Sequence, residues 1–183
     1  ETPFKLNNIK NSFTYTPKLS ISFSPGASNT NKISNEDSSV NSYSIENAYN
    51  LNRFTGSDKL DNSKRVNFGF NLSNNKINGN LLQTYEFTDN SNFHYSEGNE
   101  KNLSDLLGNL SYQDDNLSSS YNFRYDNHDS FIKKQNLDLN YQNKLGLFKF
   151  NYLDQKSKTD KIIVSDKETL NYRYDTNKIY KYS

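Results

Sequence analysis

The chain is 183 residues long, balances 22 Lys and Arg against 21 Asp and Glu, and contains no cysteine, methionine or tryptophan. A net charge of +1 provides no field for a nucleic-acid partner, and without cysteine neither a disulfide nor a thiolate metal site can form. Mean hydropathy is −1.02 and 32% of residues are apolar, which is low for a dry-cored soluble globule.

Disorder is the poorer explanation, because it goes with few aromatics and high net charge, whereas this chain has 14 Tyr and 12 Phe. A transmembrane β-barrel wall fits better, since its strands turn apolar residues outward and polar ones toward a wet lumen. No run approaches the ~20 apolar residues of a membrane helix, so any embedding is expected through strands. The residues show neither an initiator Met nor a signal peptide, which leads us to expect a mature piece or an internal fragment.

In chain order, residues 4–10 read as a short strand and 11–24 as a clear one. In the latter, Phe13, Tyr15, Leu19, Ile21 and Phe23 alternate with Ser, Thr and Lys. Pro17 interrupts the apolar face and lacks a donor, which predicts a bulge or a poorly paired position. Residues 26–64 form a long polar stretch in which Tyr43, Ile45, Tyr49 and Leu51 are in place for a further strand. From residue 65 the rhythm becomes regular. Strands are expected at 65–73 and 76–87, around an Asn74-Asn75 turn that suits a two-residue hairpin. A second long loop covers 88–102. Further strands follow at 103–113, 117–126, 130–141, 145–154, 162–174 and 179–182, separated by Asp- and Asn-rich turns. The fold class is therefore all-β, an antiparallel up-and-down meander of about ten strands. In sum, the whole of 1–183 is one partial barrel domain, with long loops near 26–64 and 88–102.

The residues around the first long loop, Asn52-Arg53-Phe54 with Gly56, Asp58, Arg65, Val66 and Gly69, resemble the "N-R-F/Y-x-G-x-D-R…R-V-x-x-G" segment of the lipopolysaccharide-assembly outer-membrane protein family LptD, also called OstA or Imp. Three other places support the resemblance in the right order. They are Thr16-Pro17-Lys18-Leu19-Ser20-Ile21, Leu103-Ser104-Asp105-Leu106-Leu107-Gly108, and Tyr121-Asn122-Phe123-Arg124-Tyr125-Asp126 followed by Phe150-Asn151-Tyr152. No amino-terminal periplasmic jellyroll pattern is present and ten strands are too few to close a barrel of the family's size. The expectation is a fragment from the carboxy-terminal half of the barrel.

The resemblance implies a transport role without chemistry: part of the translocon that inserts lipopolysaccharide into the outer leaflet of the Gram-negative outer membrane. The implied partners are lipopolysaccharide, outer-membrane lipid, an LptE-type plug lipoprotein and the periplasmic Lpt bridge. No enzyme activity and no cofactor are implied. A porin- or receptor-type barrel, or a secreted β-rich adhesin, is the alternative. An adhesin repeat would show a fixed internal period, and none is found.

Asn52, Arg53, Phe54, Gly56, Asp58, Arg65 and Gly69 form the candidate site. Arg53 with Asp58 and Arg65 is expected to make a buried ion pair that ties the loop to the barrel, a reading preferred to contact with lipopolysaccharide phosphates. His94 and His128 lie apart in loops without the convergent ligands of a metal site. Asp114, Asp115, Asp126 and Asp129 fall at turns, where Asp serves backbone geometry. Tyr15, Tyr85, Tyr125 and Tyr152, at strand ends, suit interfacial girdles or plain cross-strand packing.

Overall fold

The computed structural model describes residues 3–8, 11–24, 43–54, 61–87, 102–159 and 162–176. Gly56, Asp58, His94, the expected strand at 179–182 and most of both long loops lie outside the described residues. Among the described residues, nine strands form one antiparallel sheet in simple chain order: β1 (Phe4–Asn8), β2 (Asn11–Ser24), β3 (Ser63–Ser73), β4 (Ile77–Glu86), β5 (Leu106–Gln113), β6 (Leu117–Asp126), β7 (Phe131–Gln142), β8 (Gly146–Thr159) and β9 (Ile162–Thr176). Every neighbour in sequence is a neighbour in the sheet, and among the described residues the sheet is open, with β1 and β9 at its edges.

Side-chain amides and carboxylates close the tight turns. Asn74 Oδ1 accepts from the amides of Lys76 (2.8 Å) and Ile77 (2.6 Å), and Asn143 Oδ1 accepts from Leu145 (2.8 Å) and Gly146 (3.0 Å). Asp126 Oδ1 does the same for His128 (2.8 Å) and Asp129 (3.0 Å), the Asx geometry expected of Asp at a turn.

Of the two readings of Pro17 the poorly paired position stands: it makes no bulge and pairs in register with Phe70 of β3, and among the described residues the β1 ladder reaches only Tyr15 and leaves Pro17 without a partner on that side. Three expectations are corrected. The hairpin loop after β3 is Asn75-Lys76, one residue beyond the expected Asn74-Asn75, with Asn74 N donating to Ile77 O (2.8 Å). Leu103 does not begin β5 but makes an isolated bridge to Tyr85. Residues 43–51 form no strand: 45–49 are turns and 50–51 a bend. Ser44 N donates to Asn47 Oδ1 (2.9 Å), Asn47 N to Ser44 Oγ (3.4 Å) and Ala48 N to Ser44 O (3.1 Å). These local side-chain bonds compete successfully with extension.

Cross-strand register sorts the side chains onto two faces. One row of facing residues runs Tyr15, Leu72, Gly79, Leu110, Tyr121, Leu137, Tyr152, Leu170. The parallel row on the other face runs Thr16, Asn71, Asn80, Asn109, Asn122, Asn136, Leu153, Thr169. Apolar residues on the first face do not follow the rows but slant across them. On β2 they extend from Tyr15 toward Phe23 at the long-loop end, and on β9 from Leu170 toward Tyr174 at the tight-turn end. The centre of the band moves by about one residue per strand; with ~3.3 Å rise and ~4.8 Å strand spacing that is a slant of about 35°. Strands of a membrane barrel tilt by ~35–45°, so the band becomes level when the strands are tilted as a barrel requires. Tyr15 then stands on its tight-turn border and Tyr85, Tyr125 and Tyr152 on its loop border.

Burial is inverted relative to a soluble protein. Leu19 is 72% exposed, and Ile21 and Tyr172 are each 77% exposed. Among the described residues four hydrophobic side chains are buried (Tyr43, Ala48, Leu82, Leu107) against twelve polar or charged ones. A face of this kind is out of place in water and suited to lipid.

Candidate functional site

The buried polar groups gather where the 43–54 segment folds back onto the polar face of β3, β4 and β5. That face carries two apolar residues side by side, Leu82 and its partner Leu107. Tyr43 and Ala48 pack on them, with Ile45 and Tyr49 at the margin. Each buried large side chain of this kind contributes about 1.5–3 kcal/mol. Gly69, the partner of Leu82 across β3, lets the strands come close: a Cβ there would stand 2.1 Å from the Leu81 carbonyl oxygen.

Polar side chains from the strands then capture the segment's backbone. Asn67 Nδ2 donates to Ala48 O (2.8 Å), Arg65 Nε to Ala48 O (3.4 Å), and Arg65 Nη2 to the carbonyls of Asn50 and, at 3.5 Å, Leu51. Arg124 Nη2 on β6 donates to the Tyr43 carbonyl. The Tyr43 hydroxyl bonds Thr84 Oγ1 and Ser104 Oγ, and Thr84 Oγ1 donates on to Asn67 Oδ1 (2.7 Å). Burial pushes the Tyr43 phenol above its ordinary range, and the Ser104 and Thr84 bonds pull against that shift.

An ion network closes the end of the segment. Arg53 grips Asp61 with two bonds (Nε to Oδ2 2.5 Å, Nη2 to Oδ1 3.0 Å) and reaches Glu86 Oε2 at 3.2 Å. Arg65 Nη1 contacts Asp61 Oδ2 at 3.3 Å and donates to Ser63 Oγ at 2.8 Å. Glu86 in turn accepts from Ser63 Oγ (2.8 and 2.9 Å) and Lys64 N (3.0 Å). Two guanidiniums and two carboxylates, each about 1% exposed, thus balance in charge.

The candidate residues are therefore partly brought together. Arg53 and Arg65 share Asp61. Asn52 Oδ1 accepts from Phe54 N at 3.3 Å, and Gly69 lies in β3 beneath the segment. Gly56 and Asp58 lie outside the described residues. Asp61 and Glu86 were missed in the sequence. Glu86 had only an approximate signal: the expected Asn74-Asn75 loop would put Thr84 opposite Arg65, and the observed loop, Asn75-Lys76, puts Glu86 there. Asp61 had none. His128 is exposed, with Nε2 3.0 Å from Leu103 O.

Close by, Lys133 Nζ bridges Asp105 Oδ2 (3.2 Å) and Asp126 Oδ2 (3.1 Å) at the loop end of β5 to β7. Burial raises the Asp105 carboxyl to about 6, against the pull of Lys133, with the Asp126 charge adding to the rise.

The family model described as LptD, LPS transport system D, matches residues 3–180. The chain belongs to the LptD family. That family transports lipopolysaccharide and assembles the outer membrane, and its members are outer-membrane proteins. The match spans every described residue through β9, so the motifs, the slanted band and the docked segment all fall within it; the porin, receptor and adhesin alternatives give way to the family. A comparison with curated proteins returned no match.

Proposed function

We propose that this chain forms part of the wall of an LptD translocon that inserts lipopolysaccharide into the outer leaflet of the Gram-negative outer membrane. The observation that carries the proposal is the pairing of an LptD match over 3–180 with a sheet whose apolar band is exposed and slanted while its opposite face is amide-rich. In this reading the band meets hydrocarbon and the amide face lines the path of the hydrophilic glycan. The 43–54 segment sits on that face as a fixed inner layer near the extracellular mouth, held by Arg53, Asp61, Arg65 and Glu86.

The chain performs no chemistry here; it supplies a surface. Partners are a plug lipoprotein of the LptE type and the periplasmic Lpt bridge, and the sequence is part of a larger barrel that opens laterally to the membrane. The test is depletion of the full-length protein in its own cell. Newly made lipopolysaccharide should stop reaching the cell surface, while an unrelated porin still inserts, and restoring the protein should restore the lipid. Surface lipopolysaccharide that arrives at an unchanged rate contradicts the proposal.

A further inference from the structure

A cleft of about 230 Å³ opens on the polar face between the 43–46 stretch and β5, β6 and β7. It is smaller than the ~300–1,000 Å³ of sites for drug-sized ligands, and suits a single saccharide unit. Its wall contains Arg124 and Lys134, which are direct cross-strand partners. Like charges set opposite each other destabilise a sheet, and their row continues to Leu107 on one side and Gln155 on the other, with no carboxylate between.

Lys134 is exposed and has no hydrogen-bond or ion-pair partner among the described residues. Arg124 is held at the cleft by its bond to the Tyr43 carbonyl. The floor adds Asn109 and Asn122, which face each other in the next row. Asn109 Oδ1 is occupied by Asn80 Nδ2 at 2.8 Å, which leaves its own amide hydrogens for a guest, and Asn122 is exposed. The lining thus offers a surplus of donors and the charges of Lys134 and Arg124, the latter shared with Asp105, with one carboxylate, Glu46, among its residues. Such a surplus is complementary to an acceptor with negative charge.

We propose that this cleft is a binding subsite for an anionic sugar, a saccharide that carries a phosphate or a carboxylate, on the polar face of the barrel. The assignment rests on the transport reading above and adds the position and the chemistry of one contact. Lys134 supplies charge, Arg124 supplies charge and shape, and the two amides bond the ring hydroxyls or the anion.

The test uses the full-length protein in lipid vesicles, with Gln155→Cys carrying a benzophenone label at the cleft edge and Asn171→Cys as a second labelled position on the polar face. Purified lipopolysaccharide is supplied below saturation in intact, dephosphorylated and carboxyl-reduced forms, with neutral dextran for comparison. Intact lipopolysaccharide should crosslink at 155, and dextran should not. Lys134→Gln should lower the yield by about fivefold at low salt, whereas Lys134→Arg should preserve it. A loss on dephosphorylation assigns the phosphate, and a loss on carboxyl reduction assigns the carboxylate. Yield indifferent to Lys134→Gln, or to removal of both anionic groups, overturns the subsite. Crosslinking at 171 with none at 155 also overturns it and leaves the transport reading intact. No crosslinking at either position, together with unchanged lipopolysaccharide export on depletion, overturns the transport reading itself.

Discussion

Asp61→Asn is the sharpest perturbation of the docked segment. Asp61 takes two bonds from Arg53 and one contact from Arg65 with both guanidiniums fully buried. Asparagine keeps the shape but removes the charge, so a neutral four-group network is left with one excess positive charge away from water. Breaking one partner of a buried pair costs about 3–5 kcal/mol. The loss falls on local opening, since the cross-strand ladders of β3 and β4 remain. At the lower end of that range the open population of the segment should rise about 150-fold, because each 1.4 kcal/mol is a factor of ten.

Trypsin reads this directly, since the bond after Arg53 is closed to it in the docked state, Arg53 being 1% exposed. When reclosing outpaces cleavage, the rate tracks the open population. In the full-length protein in vesicles, the cleavage product ending at Arg53 should appear about 100-fold faster in Asp61→Asn, whereas Glu46→Gln on the exposed part of the segment should stay within about twofold. A rate for Asp61→Asn within about threefold of the unchanged protein would refute the reasoning, because the ions would then not be what holds the segment.

Two further outcomes follow from the geometry. Asp105 has a folded-state value of about 6 against an ordinary 3.8, so its stabilising contribution is complete below the lower value and is lost as pH rises through the upper one. Hydrogen exchange at the loop end of β5 should therefore speed up between about pH 4 and 6 beyond its intrinsic pH dependence, as an opening cost of up to about 3 kcal/mol is lost. Asp105→Asn should remove that step, and a step that survives in the variant contradicts it. Gly69→Ala places a methyl group against the Leu81 carbonyl, a backbone obstacle, and should cost about 1–3 kcal/mol by urea unfolding in vesicles; an unchanged midpoint would show that the strands separate freely there.

The strand meander was legible because membrane strands repeat with a period of two over long spans. β2 and β6 run over the same residues in sequence and structure, Asn11–Ser24 and Leu117–Asp126. Strand ends were less legible, since β8 runs on to Thr159 through Gln155, Lys156 and Ser157, polar residues that show no apolar alternation. The fate of 43–51 was misjudged for a physical reason: Tyr43, Ile45 and Tyr49 alternate like a strand, but Ser44 and Asn47 hold the backbone in turns and the apolar residues pack on Leu82 and Leu107 instead.

Within the candidate site, Arg53 and Arg65 could be read as a paired loop anchor from their motif. Their shared partner Asp61 could not, because a loop has no register to place it. The cations of the cleft were visible as residues without being visible as neighbours. Arg124 and Lys134 meet only through the β6–β7 pairing, which carries a register shift between Arg124 and Tyr125, and a count along the sequence misses such a shift.

The central claim is that the two faces of this sheet meet lipid and water respectively. These residues contain no cysteine, so, with any cysteine elsewhere in the full-length protein replaced, single cysteines placed at Leu19, Leu110 and Tyr172 on one face, and at Ser20, Asn109 and Asn171 on the other, can be compared in vesicles. Spin labels at the first three should collide preferentially with oxygen dissolved in hydrocarbon, and those at the second three with a water-soluble nickel chelate, with the preference reversing between Asn109 and Leu110. Equal access of the nickel chelate at both members of that pair would contradict the barrel-wall account.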